Sequence, residues 1–234
     1  MSTLPPAPEK PRYVRDMFAR IAPRYDLLNR LMTGGQDVRW RREVIQRARL
    51  APGHRLLDIG AGTGDLAREA LRQQPAARVV AADFTLPMMR VGRQRAGHAA
   101  LTWLAADALR LPFADGTFDA VVSGFLLRNV ADVLQALREQ HRVLRPGGRV
   151  VILETTPPPA GLVGALVRLH FRWVIPLLGR LIAGDAQAYR YLPASSERFL
   201  TAAQLAAHLA AAGFRRIGYR KRMLGTVAIH WAEK

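Results

Sequence analysis

Leu56-Leu57-Asp58-Ile59-Gly60-Ala61-Gly62-Thr63-Gly64-Asp65 decides the fold of this chain. A short apolar run enters a turn with glycine at every second position, so it reads as a buried strand that bends sharply where its backbone must approach a ligand. A dinucleotide fingerprint, G-x-G-x-x-G, needs a glycine where this chain has Asp65. Asp58 before the turn and Asp65 after it also place negative charge where a pyrophosphate would be repelled. The turn is therefore expected to face a neutral or cationic guest.

S-adenosylmethionine has no phosphate, carries a positive sulfonium, and has an amino group for which Asp58 is an acceptor, directly or through water. Such a nucleoside also needs a carboxylate for its ribose hydroxyls at the end of the next strand. The run Arg78-Val79-Val80-Ala81-Ala82-Asp83 supplies one at the spacing of a βαβ unit. A third run, Leu101-Thr102-Trp103-Leu104-Ala105-Ala106, leads to Asp107, an acceptor for the adenine amino group, and Ala108, whose N–H can meet a ring nitrogen. The alternative is a βαβ domain in which these carboxylates only cap helices and solvate turns.

Outward from this core the elements alternate: strand 55–60, helix 65–73, strand 78–83, helix 87–95, strand 101–106, strand 118–124, helix 131–144 and strand 149–154. Arg145-Pro146-Gly147-Gly148 is expected to stop the last helix, Thr201 to cap helix 202–212, and strands near 215–220 and 226–232 to close the sheet as a hairpin. The expected fold class is α/β, a doubly wound, seven-stranded, mostly parallel, Rossmann-like sheet with N-terminal helices and a helical lid insertion. The domain plan is a disordered leader at 1–12, a helical cap at 13–50, and the main domain at 51–234 with the lid or substrate-tail segment at about 158–198. Within that segment, residues 162–182 are strongly apolar but interrupted by Arg168, His170, Arg172, Pro176 and Arg180, which argues against a membrane span. An amphipathic lid touching lipid or covering a lipophilic substrate, and a helix packed across the sheet edge, both fit.

The 234 residues contain no cysteine, which excludes disulfides, thiolate metal sites and cysteine nucleophiles, and no His/Asp/Glu spacing points to a metal. Nothing resembles a signal peptide, so a cytoplasmic location is expected. The net charge of +17 rests on 32 Arg and only three Lys spread over the chain. That charge suits an anionic membrane surface or nucleic acid, but it also suits a compositional bias; no nucleic-acid-binding motif is present, so nucleic acid is not the expected partner.

Three further stretches are more specific. They are Met17-Phe18-Ala19-Arg20-Ile21-Ala22-Pro23-Arg24-Tyr25-Asp26-Leu27-Leu28-Asn29-Arg30, Leu127-Arg128-Asn129-Val130, and Gly184-Asp185-Ala186-Gln187-Ala188-Tyr189-Arg190-Tyr191-Leu192. With the glycine turn they make the chain, from about Val14 to its C-terminus, resemble the demethylmenaquinone and ubiquinone-biosynthesis C-methyltransferases. The resemblance implies a class I methyltransferase that uses S-adenosylmethionine to methylate a ring carbon of a prenylated quinol, such as demethylmenaquinol. It implies cofactor contacts from Thr63, Asp83, Asp107, Ala108 and Ser123, added to Asp58, Gly60, Gly62 and Gly64 of the turn. It also implies that Tyr25, Arg128 and Asn129 line the quinol end, Arg128 stabilising a developing phenolate and Asn129 holding a hydroxyl. Read without the resemblance, Tyr25 is equally a packing residue and Arg128 a salt-bridge or cap residue. This chain has Leu126 where the family usually has glycine, and Thr155-Thr156-Pro157 where a Phe-Ser-Lys-Pro type of ending is usual. A lipophilic quinol is the expected partner; transient contact with an anionic membrane surface, at the inner face of the membrane, and a homodimer are options that the sequence leaves open. Rival readings are an RNA methyltransferase, a small-molecule O- or N-methyltransferase, and a non-enzymatic binding factor that keeps the fold.

Overall fold

The computed structural model describes residues 5–6, 9–95, 101–162, 164–169, 173 and 188–234. Helix α1 (Lys10–Ile21), a 3-10 turn (Ala22–Arg24) and α2 (Tyr25–Met32) form the N-terminal cap, and α3 (Gln36–Ala48) leads into the sheet. Then follow β1 (Arg55–Ile59), α4 (Asp65–Gln73), β2 (Arg78–Asp83), α5 (Leu86–Gln94), β3 (Leu101–Ala105) and β4 (Phe118–Gly124). A 3-10 turn (Leu127–Asn129), α6 (Val133–Val143), β5 (Leu144–Thr155), α7 (Ala188–Glu197), α8 (Ala202–Ala211), β6 (Arg215–Arg222) and β7 (Val227–Glu233) complete the order. The seven strands lie in the order β3-β2-β1-β4-β5-β7-β6, with β7 antiparallel to both neighbours. The topology reverses between β1 and β4, and the crevice beyond the strand ends at that point is where open α/β sheets bind ligands.

Side-chain alternation along the strands feeds two cores. Leu57, Val121, Val150 and Ile152 face α6 and α8, whereas Leu56, Val79, Val122 and Val151 face α3 and α4. A third core lies apart, where Val14, Met17, Ile21 and Leu28 of the cap pack with Ala188, Tyr189, Tyr191 and Leu192 of α7. The cap meets the C-terminal end of β1 at the turn that follows it, where Thr63 donates to Asp26. Thr201 caps α8 in a reciprocal capping box with Gln204, as its sequence suggests.

Two boundaries differ from the sequence reading. Lys10, Pro11 and Arg12, assigned to the leader 1–12, form the first turn of α1, where proline costs nothing because that N–H has no helical partner. Arg145-Pro146-Gly147-Gly148 does not separate helix from strand: β5 starts at Leu144 and accommodates the segment as a register shift between the pairs Phe118↔Leu144 and Ala120↔Arg149. Of the lid expectation at 158–198, residues 163, 170–172 and 174–187 lie outside the described residues, and with them His170. Residues 162 and 164–169 are helical, and Leu162, Leu166 and Leu169 are exposed. Among the described residues no helix is long and apolar enough to cross a membrane.

Leu28 is fully buried in the third core. Leu28→Ala is expected to cost about 2–5 kcal/mol, read by urea unfolding; a loss below about 1 kcal/mol would mean that the cap does not belong to the cooperative unit.

Candidate active site

The chain leaves β1 at Ile59 and wraps the end of β2: Gly60 and Ala61 donate their N–H groups to the Ala82 carbonyl at 2.8 and 3.0 Å. Gly62 then donates to Asp83 Oδ2 at 2.7 Å with its own φ at 58°, a left-handed conformation that side chains disfavour. At Gly60, φ 69°, a Cβ would stand 2.8 Å from Leu126 Cδ1, so a side chain there would be strained and would push Leu126 aside. The other Asp83 oxygen accepts from the Thr85 N–H at 2.7 Å. Burial pushes the Asp83 carboxyl above the usual range, and these backbone donors oppose it.

Asp58 is buried at the end of β1, and its Oδ2 accepts from the Ala67 N–H at 3.0 Å, so it caps α4 from across the turn. Its Oδ1 is buried with no hydrogen-bond partner in the protein. Burial raises its pKa to about 7, with Asp83 and Asp65 adding to the effect.

Two cavities meet at this turn. The larger, about 830 Å³ including its mouth, is bounded by Asp83, Asp107 and Ala108 on one side, and by Pro11, Val14, Phe18 and Tyr25 of the cap with Leu126, Asn129 and Val130 on the other. The smaller, about 380 Å³, is bounded by Asp26, Arg41, Asp58, Thr63 and Asp65. Tyr25, Gly60, Gly62, Gly124 and Phe125 belong to both walls, so the cavities adjoin at the turn. Asp107 sits exposed at the mouth, Oδ1 accepting from the Leu109 N–H at 2.9 Å, with Ala108 buried beside it.

The cap is tied to the turn by charge. Thr63 Oγ1 donates to Asp26 Oδ1 at 2.8 Å, and the Arg95 guanidinium pairs with Asp26 and with Asp65, the latter at 3.0 Å. Arg68 donates to the Thr63 carbonyl at 2.6 Å and to Asp65 at 3.0 Å, and Arg41 pairs with Asp37 beside the same network. Asp26 and Arg95 were not singled out from the sequence, although Asp26 stands next to Tyr25 in one of the distinctive stretches.

The loop after β4 presents the remaining residues. Phe125 adopts φ 58°, held by its N–H to the Leu153 carbonyl at 2.7 Å. Asn129 Nδ2 donates to the Phe125 carbonyl at 2.9 Å, and its Oδ1 accepts from the Tyr191 hydroxyl at 3.2 Å. Tyr191 is almost fully buried against Tyr13, and burial pushes its pKa up to about 12, so the hydroxyl stays a donor. The amide orientation is thereby fixed, with one Nδ2 hydrogen left for a guest.

Two expectations change. Arg128 does not line either cavity: it is buried, its Nη1 donates to Glu154 Oε1 at 2.6 Å, and its own N–H reaches Glu154 Oε2 at 3.3 Å. Glu154 is fully buried at the end of β5, which places it beside the loop after neighbouring β4, so the pair locks that loop. Ser123 is also buried away from both cavities, because strand alternation puts it on the same face as Val121, toward the α6 core; its hydroxyl has no partner. Among the described residues, no cluster of His, Asp and Glu suits a metal ion and no histidine lines either cavity.

The Arg128–Glu154 pair generates a prediction. Glu154→Gln leaves a buried guanidinium without its counter-charge and should cost about 3–5 kcal/mol, whereas the double change Arg128→Met with Glu154→Leu should recover most of it. Urea midpoints of the two variants test this, and a double variant no more stable than the single would contradict it.

The residues fit S-adenosylmethionine: Asp58, whose Oδ1 has no partner in the protein, borders the smaller cavity, Asp83 borders the larger, and the glycine turn lines both. Comparison with known proteins agrees. Residues 7–234 match the model of the ubiE/COQ5 methyltransferase family. The chain is 47% identical to the ubiquinone/menaquinone biosynthesis C-methyltransferase UbiE of Desulfotalea psychrophila, over 94% of this chain and 90% of the relative. It is 49% identical to the demethylmenaquinone methyltransferase of Thermus thermophilus, over 93% of this chain and 100% of the relative. In fold it is similar to an S-adenosylmethionine-dependent methyltransferase of Thermotoga maritima, with a TM-score of 0.67, 17% identity and coverage of 94% and 98% of the two chains. It is also similar in fold to the Haemonchus contortus phosphoethanolamine N-methyltransferase 2 in complex with S-adenosylmethionine, with a TM-score of 0.65, 17% identity and coverage of 84% of this chain and 52% of that one. The chain belongs to the ubiE/COQ5 methyltransferase family and is an S-adenosylmethionine-dependent methyltransferase.

Proposed function

We propose that this enzyme methylates a ring carbon of a prenylated quinol, converting demethylmenaquinol to menaquinol. The observation that carries the reading is the larger cavity: beyond the acids at its cofactor end, its wall is apolar, from Pro11, Val14, Phe18, Leu126 and Val130, with polar groups only at a few points such as Tyr25 and Asn129. Such a lining suits a flat hydrophobic ring that carries one or two oxygens.

S-adenosylmethionine supplies an electrophilic methyl group on sulfur. The protein must place the ring carbon in line with it at roughly 3 Å and favour the phenolate form of the ring, whose electron density lies on the ortho carbon. The free Nδ2 hydrogen of Asn129 donates to the ring oxygen as negative charge builds there, and the Tyr25 hydroxyl is the second polar contact in the same wall. Arg128, paired with Glu154, anchors the turn that presents Asn129. With no histidine at the cavities, the phenolic proton leaves to water.

A lipophilic substrate is taken from a bilayer, and exposed Leu27 and Leu31 on α2, and exposed Leu162, Leu166 and Leu169, are the apolar side chains available for transient contact with it. Incubation with labelled S-adenosylmethionine and a panel of reduced quinones, followed by mass spectrometry, should give a C-methylated naphthoquinol. Asn129→Ala should lower turnover by about ten- to a hundredfold with cofactor affinity nearly unchanged. O- or N-methylated products, or no product from any quinol, would refute the assignment.

The raised pKa of Asp58 gives a second test. In the free protein the carboxyl is half protonated near pH 7, and a cationic ammonium beside it favours the ionised form. Binding therefore releases a proton below that pH, so cofactor affinity should rise between about pH 5.5 and 7.5, by up to tenfold per unit at the acid end. For the free protein the sign is opposite: stability falls as pH rises from about 4, where the unfolded carboxyl ionises, through about 7, where the folded one does. Calorimetry across this range should show a flat profile for Asp58→Asn; the same slope in that variant would remove Asp58 from the cofactor's ammonium end.

A further inference from the structure

On the side of the sheet away from α6 and α8, the C-terminal half of α3 and the edge formed by β5, β7 and β6 enclose a groove of about 1040 Å³ including its open side. It shares no lining residue with either cavity of the active site. Six of its nine lining residues are arginine, in a chain that has 32 among 234, and one is a carboxylate. A compositional bias spreads arginines over a surface; it does not gather them round one concavity, where like charges repel.

We propose that this groove binds a phosphate-bearing anion. Three of the guanidinium groups are held in place before any ligand arrives. Arg47 lies over the Trp231 ring at 3.6 Å and pairs with Glu43 Oε1 at 3.0 Å, and Arg222 takes the other oxygen of Glu43. Arg149 is fixed by Glu233 at 2.5 Å and by the Arg47 carbonyl at 3.0 Å. Fixed forks of this kind match the oxygens of a tetrahedral oxyanion and lose little freedom on binding it. The other three, Arg39, Arg49 and Arg220, are exposed and form no ion pair among the described residues. Arg49 ends α3 in a left-handed conformation, φ 51°. These three form the uncompensated charge of the groove.

The chemistry favours a compact phosphate over a nucleic-acid strand. Polymer grooves combine cations with open aromatic faces on which bases stack, and here Arg47 covers the Trp231 face. A free di- or oligophosphate and a phospholipid headgroup present the same group, and two probes distinguish them.

Inorganic pyrophosphate titrated into the full-length protein at physiological salt, followed by calorimetry, should show saturable one-to-one binding. The double variant Arg49→Gln with Arg220→Gln should weaken it by about ten- to a hundredfold. A control double variant, Arg93→Gln with Arg138→Gln, removes the same charge from exposed positions on α5 and α6 and should leave binding unchanged. Sedimentation with phosphatidylglycerol vesicles, compared with phosphatidylcholine alone, identifies the source: vesicle binding lost in the groove variant and competed by pyrophosphate assigns a lipid headgroup, and pyrophosphate binding without vesicle binding assigns a soluble anion. Equal losses in the two double variants, no saturable binding of either probe, or binding of a single-stranded oligonucleotide alone would overturn the proposal.

Discussion

Asp83 joins two parts of the chain that the sheet brings side by side without connecting. Its carboxylate accepts from Gly62 on the turn after β1 and from Thr85 at the entry to α5, while the carbonyl of Ala82 accepts from Gly60 and Ala61. The turn is therefore held to the end of β2, not merely tethered to β1, and its glycines keep a fixed curvature. Asp83 also borders the larger cavity, so the group that shapes the turn is part of the pocket wall as well. Asp58 has the same double use one strand away, with one oxygen capping α4 and the other unpartnered.

The cap depends on this turn in a different way. Its apolar face is satisfied by α7 in the third core, whereas its attachment to the main sheet runs through Asp26, Thr63 and Arg95. Lys10 adds a second tie, donating to the Val130 carbonyl at 2.8 Å from a half-buried position where desolvation lowers its pKa. Polar ties are easier to break and remake than an apolar core, because water can replace each partner.

What the sequence disclosed follows the reach of its signals. Periodicity and glycine spacing are local, so the strand order class, α4, β2 and the positions of Asp58, Asp83 and Asp107 at strand ends were all legible. Partner choice is not local. Arg128 meets Glu154 only because β4 and β5 are neighbours, a separation of 26 residues that no pattern in either segment encodes. Asn129 finds Tyr191 through α7, and Asp26 finds Arg95 through the end of α5. Ser123 was a matter of parity: it shares the face of Val121, and alternation along β4 alone would have turned it toward the α6 core. At the N-terminus, Pro11, which falls inside the expected leader 1–12, is a helix-start residue, since its ring geometry suits a first turn.

Net charge misleads about the guest for a related reason. The chain carries +17, yet Asp26, Asp58, Asp65 and Asp83 converge on the cavities, and the arginines nearest them, Arg41, Arg68 and Arg95, are committed to Asp26, Asp37 and Asp65. Distant surface cations are screened over about 8–10 Å at ordinary salt, whereas a buried carboxylate a few ångströms away is not. The potential felt by a bound molecule is set by those few acids and by the unpartnered Asp58 oxygen among them. A sulfonium with an ammonium group meets opposite charge at the turn, and a phosphate meets repulsion there. The same screening confines the groove arginines to their own neighbourhood, so one strongly basic protein can hold a cation under its cap and an anion against β6 without the two sites opposing each other.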